Sequence, residues 1–254
     1  MAAASRAVDS GGGVAGQEQK QNRNVVSRVA GDLSLVAGGA VFGRSGPAQP
    51  SFPTLAGAVP TLAELFAAHP RDAGWAGFLL AQVDTAKPLL WVQDRMAILE
   101  SGRVYPPGLP TQNLIHVEAR DARDALWAME EGLRCSGLSC VIGELWGDPR
   151  ALDFTATRRL AVAAERSGVA AFLIRLGGHA NLSGARMRWR IASAPSLPNP
   201  LDPRAPGAAA WDADLFRARS RPPGRWTLSG DPGALHLVAE AGGRALAEGQ
   251  RLSA

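Results

Sequence analysis

The feature that most constrains this chain is a series of short apolar runs separated by stretches with helical periodicity. Each run is long enough for one strand, and in order they read KPLLWVQD, NLIHVEAR, SCVIGEL and VAAFLIRL. The last is apolar along its length, which is typical of a strand buried on both faces of a sheet. Strands that alternate with helices predict an α/β fold with a parallel sheet flanked by helices.

Two helices between these runs have clear ends. In DARDALWAMEEGLR, Asp121 is placed to cap the helix, and Leu126, Met129 and Leu133 fall on one stripe. LDFTATRRLAVAAERSG predicts a second helix that ends at Gly168. GWAGFLLAQV also favours a helix, and RMAILESGRVYPPGLP favours a short helix followed by a turn.

The segment TLAELFAAH is predicted to be the first helix of the ordered region. Thr61 and Glu64 have the spacing of a capping box, in which each side chain bonds a backbone N–H of the first turn. Leu62, Leu65 and Phe66 would then share one face of the helix.

After Gly184 the period of the apolar residues changes from helical spacing to two. ARMRWRIASA and DLFRARSRPPGRWTLSG alternate apolar residues with arginines, and PPG marks a turn between two strands. These segments predict antiparallel strands that extend the parallel sheet, with one solvated arginine face. The arginines of that predicted face are Arg186, Arg188, Arg190, Arg217 and Arg219.

The basic charge of the chain is concentrated in its later half. Between Arg158 and Arg225 there are 12 arginines against four acids, in a chain whose formal net charge is +4. Two interpretations stand side by side: a solvated sheet face in an arginine-rich protein, or a surface for an acidic partner. The guanidinium fork suits phosphate and carboxylate, and contact with nucleic acid would be mainly to backbone phosphates.

The composition predicts three parts. Residues 1–58 are rich in Gly, Ala, Ser, Gln and Pro and are expected to be disordered. Residues 59–230 form the predicted core, and 231–254 a C-terminal strand and tail. No apolar run suits a membrane span or a signal peptide, which predicts a cytoplasmic protein without membrane contact. Cys135 and Cys140 are expected to be reduced, and no ligand set for a metal is present.

The small number of lysines argues against nucleotide hydrolysis by a phosphate-binding loop. A phosphate-binding loop needs glycines, a lysine and a Ser or Thr at the start of a helix. The chain has only Lys20 and Lys87, and residues 69–80 contain neither. Glu144 lies at the end of an apolar predicted strand. A carboxylate in this position can hold Mg²⁺, or it can be a polar residue where the chain leaves the core. The sequence therefore predicts no catalytic residues and no cofactor.

Five segments together resemble the ImuA family of bacterial proteins. In chain order they are ARDARDALWAMEEGLR, VIGELW, LDFTATRRLAVAAERSGVAAFLIR, SGARMRWRIASAPS and WDADLFRARSRPPGRWTL, and the likeness covers about residues 60–230. The resemblance implies a RecA-like core without a phosphate loop. It also implies a non-catalytic role in an SOS-induced translesion mutasome at the nucleoid, with RecA, ImuB and an error-prone DnaE-type polymerase as partners and DNA as a further contact.

Two other functions stay open at the level of the sequence. An atypical RecA-like ATPase would use Arg71 to bind an anion and Glu144 for Mg²⁺. A division inhibitor of the SulA type, acting on FtsZ, would share the architecture without binding nucleotide. The segments above fit the ImuA family better than either.

Overall fold

A computed structural model of the chain describes Leu55 and residues 59–111, 113–231 and 234–238. The predicted disorder of residues 1–58 falls, apart from Leu55, outside these described residues. So does the predicted tail after residue 238.

The described residues form nine strands and four α-helices. The strands are β1 Leu62–Ala67, β2 Leu89–Asp94, β3 Leu114–Ala119, β4 Cys140–Trp146, β5 Ala170–Leu176, β6 Met187–Ala194, β7 Ala210–Ala218, β8 Gly224–Asp231 and β9 Ala234–Leu237. The helices are α1 Gly74–Leu80, α2 Arg95–Ser101, α3 Ala122–Gly132 and α4 Phe154–Ser167. A single 3₁₀ turn, Pro106–Gly108, precedes β3.

The strands form one sheet in the order β3-β2-β4-β5-β1-β6-β7-β8-β9. The first six strands of this order, β3-β2-β4-β5-β1-β6, pair in parallel. The strands β7, β8 and β9 continue the sheet beyond β6 in antiparallel pairs. The predicted fold class is confirmed: a parallel sheet flanked by helices, extended by C-terminal antiparallel strands, as in a RecA-like α/β core. The strand β6 joins the two parts of the sheet, because it runs parallel to β1 and antiparallel to β7.

The segment predicted as the first helix is the strand β1. It lies between β5 and β6, and its residues from Leu62 to Phe66 are all buried. A surface helix buries one stripe, whereas a central strand of a covered sheet buries both faces, so tertiary packing outweighed the capping pattern. The Thr61 hydroxyl donates to Glu165 on α4 instead of capping a helix.

Helices cover both faces of the sheet. One apolar layer packs α1 and α2 against the sheet and includes Trp75, Phe78, Leu79 and Ala97. The other packs α3 and α4 and includes Leu126, Met129, Leu160 and Ala164. Contact between α3 and β4 is close, since a Cβ on Gly143 would lie 2.1 Å from the Met129 sulfur.

The predicted ends of α3 and α4 are confirmed. The Asp121 carboxylate accepts hydrogen bonds from the N–H groups of Arg123 and Asp124. Gly168 ends α4 with a φ of 73°, a left-handed conformation that favours glycine. Cys135 and Cys140 are both free thiols. Within the described residues, no helix has the length and apolar character to cross a membrane.

Substitution of Ala63 distinguishes strand from helix at β1. Ala63 is fully buried against the α1 layer, so Ala63→Leu should lower the free energy of unfolding by about 1–3 kcal/mol through overpacking. A helix with Leu62, Leu65 and Phe66 inward would leave position 63 outside that face and tolerate leucine. Urea unfolding measures the difference, and the exposed Ala86→Leu is the matched control.

Candidate functional site

The segment between β1 and α1 has the position of a phosphate-binding loop. Such loops follow G-x-x-x-x-G-K-[ST] between a strand and a helix. With Gly74 at the second glycine, His69 replaces the first glycine and Trp75 replaces the lysine. Ala76 then stands where the hydroxyl should be. Trp75 is buried, with its ring centroid 5.9 Å from that of Trp91. The strand, loop and helix are present, but the side chains that bind phosphate are not.

A carboxylate of the chain itself occupies the hydrogen-bond donors of this loop. Asp72 Oδ1 accepts from the Gly74 N–H at 2.8 Å and from the Ser193 hydroxyl at 2.6 Å. Its Oδ2 accepts from the Ser193 N–H at 2.8 Å. Partial burial alone would raise the pKa of Asp72, but the hydrogen bonds from Ser193 and Gly74 outweigh it and the pKa is lowered. The loop is thereby tied to the end of β6 by an internal anion.

Glu144 is a buried carboxyl near the end of β4. Trp91 Nε1 donates to its Oε1, and Gln93 Nε2 donates to its Oε2 at 3.0 Å. Gln93 also donates to the Gly102 carbonyl at 3.1 Å and accepts from the Val104 N–H at 3.0 Å. Burial raises the pKa of Glu144 to about 7, against these hydrogen bonds, which lower it. Glu144 therefore loses its proton less readily than an ordinary glutamic acid, and its oxygens accept hydrogen bonds from Trp91 and Gln93.

Arg71 and Glu144 line the same cavity, at the carboxyl ends of β1, β2, β4 and β5. Its volume is about 480 Å³, and its wall is largely aromatic and apolar, including Trp75, Trp91 and Tyr105. Arg71 forms an ion pair with Glu100 at 3.6 Å. Among the described residues, no group of three or more His, Cys, Asp and Glu side chains is arranged to hold a metal ion.

The structure separates the five predicted arginines. Arg188 was expected on a solvated face, but its side chain is only 4% exposed, and this expectation is corrected. Its Nε donates to Glu64 Oε2 at 2.7 Å. Glu64 lies at the centre of the sheet with no exposed surface, so a cation beside it compensates the buried charge.

Arg188 belongs to a buried cluster that crosses neighbouring strands. Arg175 on β5 lies 3.7 Å from Glu64 Oε1, near enough for an ion pair but too far for a hydrogen bond, and it also pairs with Asp148. Arg175 and Arg188 stack on the ring of Phe66 at 5.4 and 5.3 Å. Burial lowers the pKa of Arg175, while Glu64 and Asp148 oppose that shift. The cluster joins β5, β1 and β6 on the face that carries α4.

Three of the predicted arginines meet in a cleft between α4 and the β6–β7 strands. This arginine cleft has a volume of about 520 Å³. Its cationic side chains are Arg158, Arg186, Arg217 and Arg219, and its apolar lining comes from Phe154, Ala161, Val162 and Ala218. Arg186 forms an ion pair with Glu165 at 2.6 Å. A bulge opposite Arg188 and Trp189 interrupts the alternation of β7, and Arg217 beyond it lines the cleft.

Arg190 lies outside the cleft lining, and Arg158 is the cleft residue that sequence reasoning missed. Arg190 is half exposed, stacks on Phe216 at 5.3 Å and pairs with Asp214 at 3.7 Å. Arg158 lies near the start of β6 because the chain at Gly184 passes directly against α4. A Cβ added to Gly184 would lie 2.6 Å from the Arg158 Cα. The pattern in α4 shows Arg158 on the outer face but not which strand it approaches.

Comparison with known proteins gives one kind of relative. Protein ImuA of two strains of Caulobacter vibrioides, NA1000 / CB15N and ATCC 19089 / CIP 103742 / CB 15, is 35% identical to this chain over 150 residues. The match covers 55% of this chain and 59% of each relative, so it spans less than two thirds of their length. No family model matches the chain.

This match supports the resemblance to the ImuA family over the matched residues. The resemblance read from the five sequence segments is confirmed.

The raised pKa of Glu144 makes the stability of this chain depend on pH. The native state binds a proton that the unfolded state has released between the ordinary glutamic acid pKa and about 7. The contribution of protonated Glu144 is therefore fully present below the ordinary value and is lost as pH rises through about 7. Glu144→Gln should flatten this fall in urea unfolding series, whereas Glu100→Gln on the cavity rim should keep it.

Removal of Arg188 tests the buried cluster. Arg188→Met leaves Glu64 buried with only the longer contact to Arg175, so the free energy of unfolding should fall by about 3–5 kcal/mol. Arg190→Met, on the same strand but half exposed, should cost about 1 kcal/mol or less. Chemical unfolding of both variants measures this. Equal losses would contradict the assigned role of Arg188.

Proposed function

We propose that this ImuA-family chain is a non-catalytic, RecA-like adaptor of a bacterial translesion-synthesis mutasome. In this role it supports SOS-induced, error-prone repair of damaged DNA through protein–protein contacts at the nucleoid. The partners proposed from the family resemblance are RecA, ImuB and an error-prone DnaE-type polymerase.

The observation that carries the non-catalytic part is the state of the loop between β1 and α1. Asp72 accepts the hydrogen bonds of Gly74 and Ser193, and Trp75 and Ala76 stand where lysine and a hydroxyl are required. Binding a triphosphate there would bring it against a carboxylate with a lowered pKa, and no lysine would neutralise the γ-phosphate.

The contact surface proposed for partners is the arginine cleft. It is the place where Arg186, Arg217 and Arg219 of the predicted basic face come together with Arg158. Arg188 is not part of this surface, because its side chain is buried and forms an ion pair with Glu64. Surface contacts through arginine forks suit an adaptor, which needs recognition and no chemistry.

The atypical ATPase is kept as a second candidate because Arg71 and Glu144 line one cavity. Against it, Arg71 already pairs with Glu100, and Glu144 already accepts hydrogen bonds from Trp91 and Gln93. Calorimetry of the full chain with Mg²⁺ and ATP should give no binding heat. Binding that disappears in Glu144→Gln would favour the ATPase.

A genetic experiment separates all three candidates. Deletion of the gene should reduce damage-induced mutagenesis, and both the wild-type gene and Glu144→Gln should restore it, because an adaptor does not use the carboxylate chemically. Failure of Glu144→Gln alone, with the variant protein folded and present, would favour the ATPase. Unchanged mutagenesis in the deletion, with cell filamentation on overexpression, would favour a SulA-type inhibitor of FtsZ.

A further inference from the structure

We propose that the arginine cleft binds an acidic segment of a partner protein, with an apolar side chain among the carboxylates seated between α4 and β7. The inference rests on the proposed adaptor function and names the chemistry of the partner segment. It adds the apolar lining of the cleft to the surface.

The charges of the cleft are incompletely compensated. Four guanidinium groups line it, and Glu165 is the acid that pairs with one of them, Arg186. Among the described residues, Arg158, Arg217 and Arg219 form no ion pair, and all three are exposed. The pair between Arg186 and Glu165 shows the carboxylate chemistry that the cleft accepts: it lowers the pKa of Glu165 and raises that of Arg186.

The lining between the arginines is apolar. Phe154 is 41% exposed at the start of α4, and Val162 and Ala218 contribute further apolar surface. A volume of about 520 Å³ admits one or two side chains together with their backbone. An acidic peptide with a leucine or phenylalanine would fill both the charged and the apolar part of the cleft.

The surroundings of the cleft also favour a protein over a nucleic acid. A second groove along α4 shares Arg158 and Val162 with the cleft. It also carries Arg134, Arg159 and Arg166, but Glu130 lies within it and pairs with Arg134 and Arg159. A nucleic-acid strand that followed the basic side chains would pass Glu130 and Glu165. A peptide can place its carboxylates only beside the arginines that are unpaired.

The chain's own ends lack the complementary charge. Residues 1–54 carry five basic and three acidic side chains, and residues 239–254 carry two of each. Neither segment is acidic, so neither supplies the acidic segment proposed here.

The test is fluorescence anisotropy of the full chain with a labelled ten-residue peptide that alternates Glu and Leu. The double variant Arg217→Glu/Arg219→Glu should weaken binding by about tenfold or more. Arg123→Glu/Arg204→Glu, which changes the net charge equally at exposed positions outside the cleft, should change it by less than about twofold. Arg158→Glu, a single exposed change on α4, replaces the double variant should that one unfold.

Further probes identify what the cleft recognises. A peptide with Gln for Glu and one with Ser for Leu should both bind more weakly, and a labelled ten-nucleotide oligo-dT should be insensitive to the cleft variants. Four results would overturn the proposal: no binding of the acidic peptide, equal loss in the control variant, unchanged binding of the Gln or Ser peptide, or tighter cleft-dependent binding of oligo-dT. Loss of peptide binding alone leaves the adaptor role to the deletion experiment, so the two failures are distinct.

Discussion

A carboxylate without solvent exposure at the centre of a sheet must be compensated by cations, and Glu64 sets that requirement here. Arg188 from β6 and Arg175 from β5 meet it from opposite sides. Because β6 is the strand through which β7, β8 and β9 join the sheet, the pair between Glu64 and Arg188 lies at the junction of the parallel and antiparallel parts. Phe66 and its stacked guanidinium groups extend the same junction.

Two further carboxyls, Asp72 and Glu144, lie at the carboxyl ends of the parallel strands and line the cavity beside α1. Asp72 is half of a contact between the loop after β1 and the end of β6, and its hydrogen bonds favour the charged form. Glu144 is more deeply buried, and burial favours the neutral form. Ligands of open α/β sheets usually bind at this edge. In this protein the polar groups that would meet a nucleotide are bonded to one another.

This arrangement divides the molecule functionally. The edge that carries chemistry in nucleotide-binding relatives of the fold is internally satisfied, while uncompensated charge lies along α4 and the end of β7. The adaptor role proposed above would use the second feature and not the first. The basic excess between Arg158 and Arg225 is thus divided: Arg175 and Arg188 pair with Glu64 inside the sheet, and Arg158, Arg217 and Arg219 line the arginine cleft.

The sequence was sufficient where local patterns and burial agreed. It predicted β2 to β5, the ends of α3 and α4 and the fold class, because long apolar runs and caps such as Asp121 and Gly168 act locally. It misassigned β1, since LAELFA satisfies a helical stripe, and its burial on both faces exists only between β5 and β6. The period-two pattern located β6 and indicated its antiparallel pairing with β7, but not its parallel pairing with β1.

The sequence by itself determined that this chain has an α/β core, few lysines and a concentration of arginines. Only the tertiary structure decided what each arginine does. Arg188 and Arg190 are two positions apart on one strand, yet one meets Glu64 inside the sheet and the other faces solvent. Arg158 and Arg217 are far apart in the chain and share one cleft. The physical reason is that the charge of a side chain is local, whereas its burial and its partners depend on strands and helices distant in sequence.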